Sequence, residues 1–151
     1  SITQNGFLVS GIYVVAAITM VVVGFSSEHY KEYVWHVALT AGVAALALLV
    51  AGASSSIVVT LLALMVATSA IYATLSPFWI LPPSFLVGTA AASGMALINA
   101  FGNLGGAAGP TLMGFLRESS GGYGSGMSAL AIALVLAAIL VVVLKRFLPS
   151  D

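Results

Sequence analysis

One long interval without charge constrains this chain more than any other feature of its sequence. From Tyr33 to Leu116, more than half of the 151 residues, there is no Asp, Glu, Lys or Arg. Charged residues make up 5% of the whole chain, whereas a soluble domain carries about 25%. A soluble protein of this size needs charges on its surface. The sequence therefore predicts an integral membrane protein that contacts the lipid bilayer.

The composition also argues against several classes of function. The formal net charge is zero, so we expect no binding to nucleic acid. The chain has no cysteine, which removes disulfides and thiolate metal sites. His29 and His36 lack the further ligands that a metal needs, and no Ser or Thr is spaced to pair with a base. We therefore expect neither an enzyme nor a bound metal or cofactor.

The spacing of turn-forming residues divides the apolar sequence into helices. A bilayer core of about 30 Å requires about 20 apolar residues in a helix, and the alternation typical of a membrane barrel is missing. Small polar residues at 52–56 and prolines at 77, 82 and 83 interrupt the charge-free interval. The prediction is an all-α integral membrane protein with about five transmembrane helices, at about residues 5–24, 35–51, 57–80, 85–116 and 128–144.

The few basic residues predict an orientation in the membrane. With five crossings, Lys31, Lys145 and Arg146 fall on one side and Arg117 on the other. Because cytoplasmic loops carry the excess of Lys and Arg, the first loop and the C-terminus are expected in the cytoplasm. The chain does not begin with Met and residues 1–24 lack the basic flank of a signal peptide. Ser1 is therefore interpreted as the start of a fragment.

Polar residues mark one face on three of the five predicted helices, whereas the second and fifth are almost purely apolar and are expected to face lipid. A first stripe includes Tyr13 in the first helix. In the third helix, residues recur at helical steps of three and four on one face: Ser69, Tyr72, Ser76 and Trp79. In the fourth, the same rule joins Asn99, Asn103, Gly106 and Pro110.

Two interpretations of the asparagine face remain open. Amide side chains in hydrocarbon need partners. Asn99 and Asn103 either join helices by hydrogen bonds, worth about 0.6–2 kcal/mol each, or bind a polar solute in a central pathway. Small residues spaced four apart on the same helix indicate close helix packing and places to bend: Gly102, Gly105, Gly106, Gly109 and Pro110.

Residues 78–110 read FWILPPSFLVGTAAASGMALINAFGNLGGAAGP. This segment resembles the tenth-to-eleventh helix region of major facilitator superfamily transporters. More narrowly, it is similar to the anion:cation symporter branch, which includes tartrate and phthalate permeases and commonly shows FW-x-LP-x-x-FL-x-GTAAA followed by IN, GN, GG and GP. The remaining chain fits in order as helices eight to twelve, which implies a partial C-terminal six-helix bundle.

The resemblance also covers a motif after the first predicted helix. Residues 24–29, GFSSEH, occupy the position of a cytoplasmic loop motif that reads about G-x-x-SDR in relatives. Gly24 and Ser27 match, and Glu28 replaces the acid conservatively. His29 stands where an arginine is usual, so the salt bridge that the arginine would form in relatives has no counterpart at this position.

The resemblance implies a function and a location. It implies transport of an organic anion, such as a hydroxy acid or a sugar acid, by proton-coupled symport with alternating access in a bacterial inner membrane. The implied substrate-cavity residues are Asn99, Asn103, Tyr72, Ser69, Ser76 and Trp79. The charge-free interval contains no Asp, Glu, Lys or Arg, and the resemblance implies that the coupling groups lie in a missing N-terminal half, so the fragment is not expected to transport alone.

Two other classes of function stay open at the level of sequence. The first is a complete small transporter or channel that works as a homo-oligomer. The second is a structural membrane subunit that anchors a larger complex and has no solute pathway. The first would need an intramembrane charge or a polar ring from several copies, and a native start codon immediately before Ser1.

Overall fold

The computed structural model describes residues 2–147, and over that range the chain is entirely helical apart from its connections. Two long helices come first, α1 (Ile2–Tyr30) and α2 (Tyr33–Ala53), followed by α3 (Ile57–Phe78) and the short α4 (Leu81–Phe85). The long helices α5 (Thr89–Ser120) and α6 (Gly124–Leu144) complete the fold, and a 3-10 turn at Lys145–Phe147 ends the described part.

Each connection follows from local chemistry. Lys31, between α1 and α2, takes a left-handed conformation with φ of 54°. After α2, the Ser56 N–H donates to the Ser54 hydroxyl at 3.1 Å, an alternative to continuing the helix. Pro82 and Pro83 stand in the first turn of α4, where a missing N–H costs nothing. Gly121 ends α5 with φ of 75°, a value that favours glycine.

The connections lie at two opposite ends of the bundle. At the first end, Lys145 Nζ lies 2.8 Å from Glu32 Oε1, so the α1–α2 connection and the end of α6 are neighbours. At the second end, the backbone of Gly124 in α6 lies close to that of Gly52 in α2. Since α3 returns to the first end and α6 starts at the second, α5 crosses between the two.

Four described helical regions are long and apolar enough to cross a membrane: 5–30, 33–53, 57–85 and 124–144. This finding and the all-helical fold agree with the predicted class of integral membrane protein. α5 is not among the four, because its glycines and asparagines lower its mean hydropathy.

α2 lies at the centre of the packing, with one face against its neighbours and one apolar face left exposed. It packs extensively against both α3 and α6 and is the most deeply buried of the four apolar helices. Its packed face consists mainly of small residues, including Ala41, Ala44 and Ala45, which let the helices approach closely. Leu39 and Leu46 lie exposed on its other side. Composition did not reveal this because both faces are apolar.

α1 and α6 are largely exposed. α5 is more exposed still, because none of its described residues is buried. α1 packs on α3 and makes few contacts with α2. α5 packs mainly against α6 and against α4, the elements that adjoin it in sequence. Most of the surface of α5 is therefore without a partner.

Residues Gly24, Ser27 and Glu28, which the resemblance implied to be in a loop, lie in the last turns of α1. Ser27 is fully buried, and its hydroxyl donates to the Gly24 carbonyl at 2.9 Å, so the side chain bonds within its own helix. No proline follows Gly24 before α1 ends at Tyr30, and Lys31, the next residue, takes a left-handed conformation. The helix consequently continues beyond the expected boundary of residue 24.

Candidate functional site

The asparagine-bearing face of α5 is open. Asn99 and Asn103 are both exposed and lie one helical turn apart. A Cβ atom placed on any of the four nearby glycines of the stripe would meet no atom within 4 Å: Gly102, Gly105, Gly106 and Gly109. The close packing that these glycines were expected to mediate is therefore not made by another helix of the described chain. Pro110 is also exposed, within the helix.

The stripe of α3 is divided between different surroundings. Ser69 is buried between α3 and its neighbours, whereas Tyr72 is half-exposed. Ser76 lies against Gly24 of α1, because a Cβ on that glycine would stand 2.5 Å from the Ser76 hydroxyl. Trp79 caps the end of α3, with its ring edge-on to Phe78 at 5.4 Å between centroids. The four residues thus do not form one continuous polar surface.

A tyrosine pair joins the exposed edges of α1 and α3. The rings of Tyr13 and Tyr72 meet edge-to-face, with 5.6 Å between their centroids. Sequence reasoning had placed each tyrosine on the polar stripe of its own helix, but the period of one helix says nothing about which other helix it meets. The pairing is therefore information that only the tertiary structure supplies.

The structure does not bring the α3 and α5 stripes into one enclosed site. α5 has no extensive packing against α3, and its asparagines face outward. A cavity between these stripes would need further protein to close it. The described residues contain no group of three or more side chains suited to hold a metal ion.

Polar side chains cluster around His36 at the first end of the bundle. His36 is partly buried, its Nε2 lies 3.0 Å from the Ser26 hydroxyl, and its Nδ1 hydrogen-bonds to the Glu32 carbonyl. The spacing of Ser26 and His36 on separate helices carried no signal for this contact. The cluster ties α1 to α2 beside the bridge between Glu32 and Lys145.

A second exposed group stands beside this cluster. Lys31 donates to Glu28, and the Tyr33 hydroxyl donates to the same carboxylate at 2.7 Å. The hydrogen bond with Glu28 raises the pKa of Lys31 above its ordinary value. Because these groups are solvent-exposed, the pair adds little to stability. These hydrogen bonds join the last turn of α1 to the first residue of α2.

Comparison with known proteins identifies transporters as relatives. The chain is 38% identical over 150 residues to a protein of Agrobacterium vitis named as a tartrate transporter, covering 98% of this chain and 34% of that protein. A second protein of that name in the same organism is 36% identical over 152 residues, covering 99% of this chain and 33% of its own length. A quinolone resistance transporter of Acinetobacter baumannii is 35% identical over 137 residues, covering 91% and 32% respectively.

These curated relatives are named as transporters rather than enzymes, and the chain spans about one third of their length. No family model matches the chain. No solved structure matches it either.

Proposed function

Because this chain is related to transporters of the major facilitator type and matches about one third of their length, we propose that it forms one wall of the solute pathway in a secondary transporter. The proposed cargo is an organic anion, of the hydroxy-acid or sugar-acid class, moved together with a proton by alternating access. The tartrate transporters named among the relatives support that class of cargo.

The observation that carries the proposal is the open face of α5. An amide side chain that faces hydrocarbon without a partner is costly. Asn99 and Asn103 nevertheless lie beside glycines of α5 that contact no other helix of the described chain. A water-filled pathway, closed by the rest of the transporter, satisfies both amides and explains why the small residues are free of contacts. Asn amides can both donate to and accept from a carboxylate-bearing solute that carries hydroxyl groups.

The α3 residues contribute unequally in this proposal. Tyr72, with Tyr13 beside it, offers hydroxyl groups on an exposed surface. Ser76 and Trp79 flank the same helix and serve as candidates for the edge of the pathway. Ser69 is buried among helices and is less suited to meet a solute that enters from water.

The proton-coupling groups are proposed to lie in another part of the transporter, the N-terminal half that the resemblance implies. No ionisable Asp, Glu, Lys or Arg occurs between Tyr33 and Leu116, and intramembrane proton relays are built from ionisable side chains. The motion proposed is rocking of two helical bundles about a site near the middle of the membrane. The membrane is proposed to be a bacterial inner membrane, with the end of α6 in the cytoplasm.

Replacement of Asn99 tests the proposal most directly. We expect Asn99→Ala to lower uptake of radiolabelled tartrate by the full-length transporter in cells by about 10-fold or more, the effect of losing a hydrogen bond to a charged solute of about 1.5–3 kcal/mol. Expression at the membrane should stay near that of the parent protein. Proportional loss of uptake and of expression would instead assign Asn99 to helix packing.

The matched control is Leu97→Ala, on the same helix. Leu97 is 60% exposed and lies about 160° around the helix from Asn99. We expect this variant to take up tartrate at the parental rate. If both replacements reduced uptake equally, the effect would belong to α5 as a whole and the polar face would have no special role.

The isolated chain provides a further test. Residues 1–151, reconstituted into proteoliposomes, are expected to show no substrate-dependent proton flux, because the charge-free interval has no Asp, Glu, Lys or Arg to couple a proton to a solute. A pH-sensitive dye inside the vesicles measures the flux, with an empty-vesicle control. Flux that depends on added tartrate would contradict this assignment and favour a small homo-oligomeric transporter.

A further inference from the structure

A cavity separates α1 from α2 where both helices pack on α3. Its volume is about 300 Å³, the lower end of the range for sites that bind small molecules. Val15 of α1, Val43 of α2 and Val66 of α3 contribute apolar walls. The cavity exists because α1 and α2 make few contacts with each other while each packs extensively against α3.

Three hydroxyl groups also line the cavity, and two of them are already bonded. Thr19 donates to the Val15 carbonyl at 2.8 Å. The Thr40 hydroxyl lies 2.7 Å from the His36 carbonyl and 2.8 Å from the Thr74 hydroxyl. The third belongs to Ser69, which is 6% exposed. Its oxygen has no hydrogen-bond partner among the described residues and is almost inaccessible in this side-chain conformation. An unpaired hydroxyl in an apolar interior is costly, and a molecule in the cavity would remove the cost by pairing with the hydroxyl once the side chain turns about χ1.

The depth of Ser69 restricts what that molecule is. Ser69 stands 12 residues after Ile57 and 9 before Phe78, which places it about 18 Å and about 14 Å along the axis from the two ends of α3. It therefore lies near the middle of the helix, at the level of lipid tails. A phospholipid chain offers only methylene groups at this depth, because its ester oxygens lie at the interface. Such a chain would fill the space but leave the hydroxyl unpaired.

We propose that this cavity is a binding site for a small, largely apolar molecule that carries one hydroxyl or carbonyl oxygen. The oxygen accepts a hydrogen bond from Ser69, and the hydrocarbon part packs against the valines and Met65. The molecule reaches the site by partitioning into the membrane. This site is separate from the open face of α5 and does not depend on the function proposed for that face.

Photolabelling of the purified protein in detergent tests the site. The probe is octanol with a diazirine on its chain, compared with the matching octane diazirine that lacks the hydroxyl. We expect the alcohol to give adducts on peptides that contain Val15, Met65 or Val66, detected by mass spectrometry and displaced by unlabelled octanol. Labelling that does not saturate, or adducts confined to other surfaces, would overturn the proposal.

Replacement of Ser69 tests the hydrogen bond. We expect Ser69→Ala to raise the half-saturating concentration of the alcohol probe by about 3-fold to 10-fold, the range for one neutral hydrogen bond, and to leave the alkane probe unchanged. Thr68→Val, which removes the hydroxyl of the preceding residue without opening space, is the matched control and should change neither probe. An unchanged response to the alcohol in Ser69→Ala would show that water already satisfies this hydroxyl and would overturn the assignment.

A space-filling replacement provides the independent check. Val66 is 45% exposed, so Val66→Trp can be accommodated at the cavity mouth with its ring directed into the space. We expect this variant to lose labelling by both probes at the cavity peptides. Retention of the saturable adducts would place the bound molecule outside the cavity and contradict the proposal.

Discussion

The residue that follows a helix determines in part whether the helix end can be predicted from the sequence. Gly121 ends α5 in a left-handed conformation, and glycine after a helix is a recognised stop signal. Lys31 adopts the same conformation without being glycine, which no sequence rule predicts. Beside it, the Glu28 carboxylate accepts hydrogen bonds from the side chains of Lys31 and Tyr33.

Gly121 and its neighbour offer a paired test of this conformational requirement. We expect Gly121→Ala to destabilise the protein by about 1–2 kcal/mol, because a Cβ is disfavoured at its φ of 75°. Gly122 has no positive φ and open space around it, so Gly122→Ala should be close to neutral. Thermal unfolding of the purified protein in detergent measures both. Equal effects would mean that the turn relaxes into another conformation.

At the residue scale, the candidate site was only partly visible in the sequence. Helical spacing correctly grouped Asn99 with Asn103 on one exposed face of α5. It also grouped Ser69 with Tyr72, although the structure buries the serine and leaves the tyrosine half-exposed. Residues one turn apart on a helix differ in exposure when each meets different neighbours, as Tyr72 meets Tyr13. Periodicity defines a face but does not give its neighbours.

Among the elements, α2 and α6 approach at their ends through two glycines. A Cβ on Gly124 would stand 2.9 Å from the Gly52 carbonyl oxygen, a backbone atom that cannot rotate away. Gly42, in the middle of α2, has open space instead. Small residues of this kind let helix backbones approach in membranes, where packing rather than the hydrophobic effect holds helices together.

This contact predicts opposite effects for two similar replacements. Gly124→Ala should destabilise the protein by about 1–3 kcal/mol, because the helices must move apart to admit the methyl group. Gly42→Ala should be neutral or stabilise by up to about 1 kcal/mol, since alanine is the better helix former. The same unfolding assay compares them. A neutral Gly124→Ala would show that α6 does not pack on α2 at this point.

At the scale of elements, the sequence predicted which segments form helices but not which helices pack against each other. The apolar runs and the prolines located the main helices of the fold, while the first helix extends past its expected end at residue 24 to Tyr30. The expectation that α2 faces lipid did not reveal its second, packed face, because alanine-rich and leucine-rich faces look equally apolar in a composition count. Small side chains on the buried face were the signal that would have found it.

For the whole molecule, the two ends of the bundle make a prediction about topology. The contact between Glu32 and Lys145 places the α1–α2 connection and the end of α6 at one end, and Gly122 lies in the connection at the other. In oriented vesicles, we expect Glu32→Cys and Lys145→Cys to react with an impermeant maleimide from the cytoplasmic side. Gly122→Cys should react from the opposite side.

The chain contributes no cysteine of its own, so each label is specific within it. Reaction of positions 32 and 145 from different sides of the membrane would contradict the bundle itself. Reaction of both from the outside would preserve the bundle and reverse the proposed orientation. The assay therefore separates the fold from its direction of insertion.

The sequence by itself determined the solvent and the secondary structure of this protein. An interval without charge from Tyr33 to Leu116 requires lipid around it, and lipid in turn requires helices, because backbone groups there have no water to bond. The tertiary structure alone decided that α2 is central, that Tyr13 meets Tyr72, and that Ser69 is enclosed beside a cavity. In a membrane, packed and exposed faces are both apolar, so shape rather than hydrophobicity selects the partners.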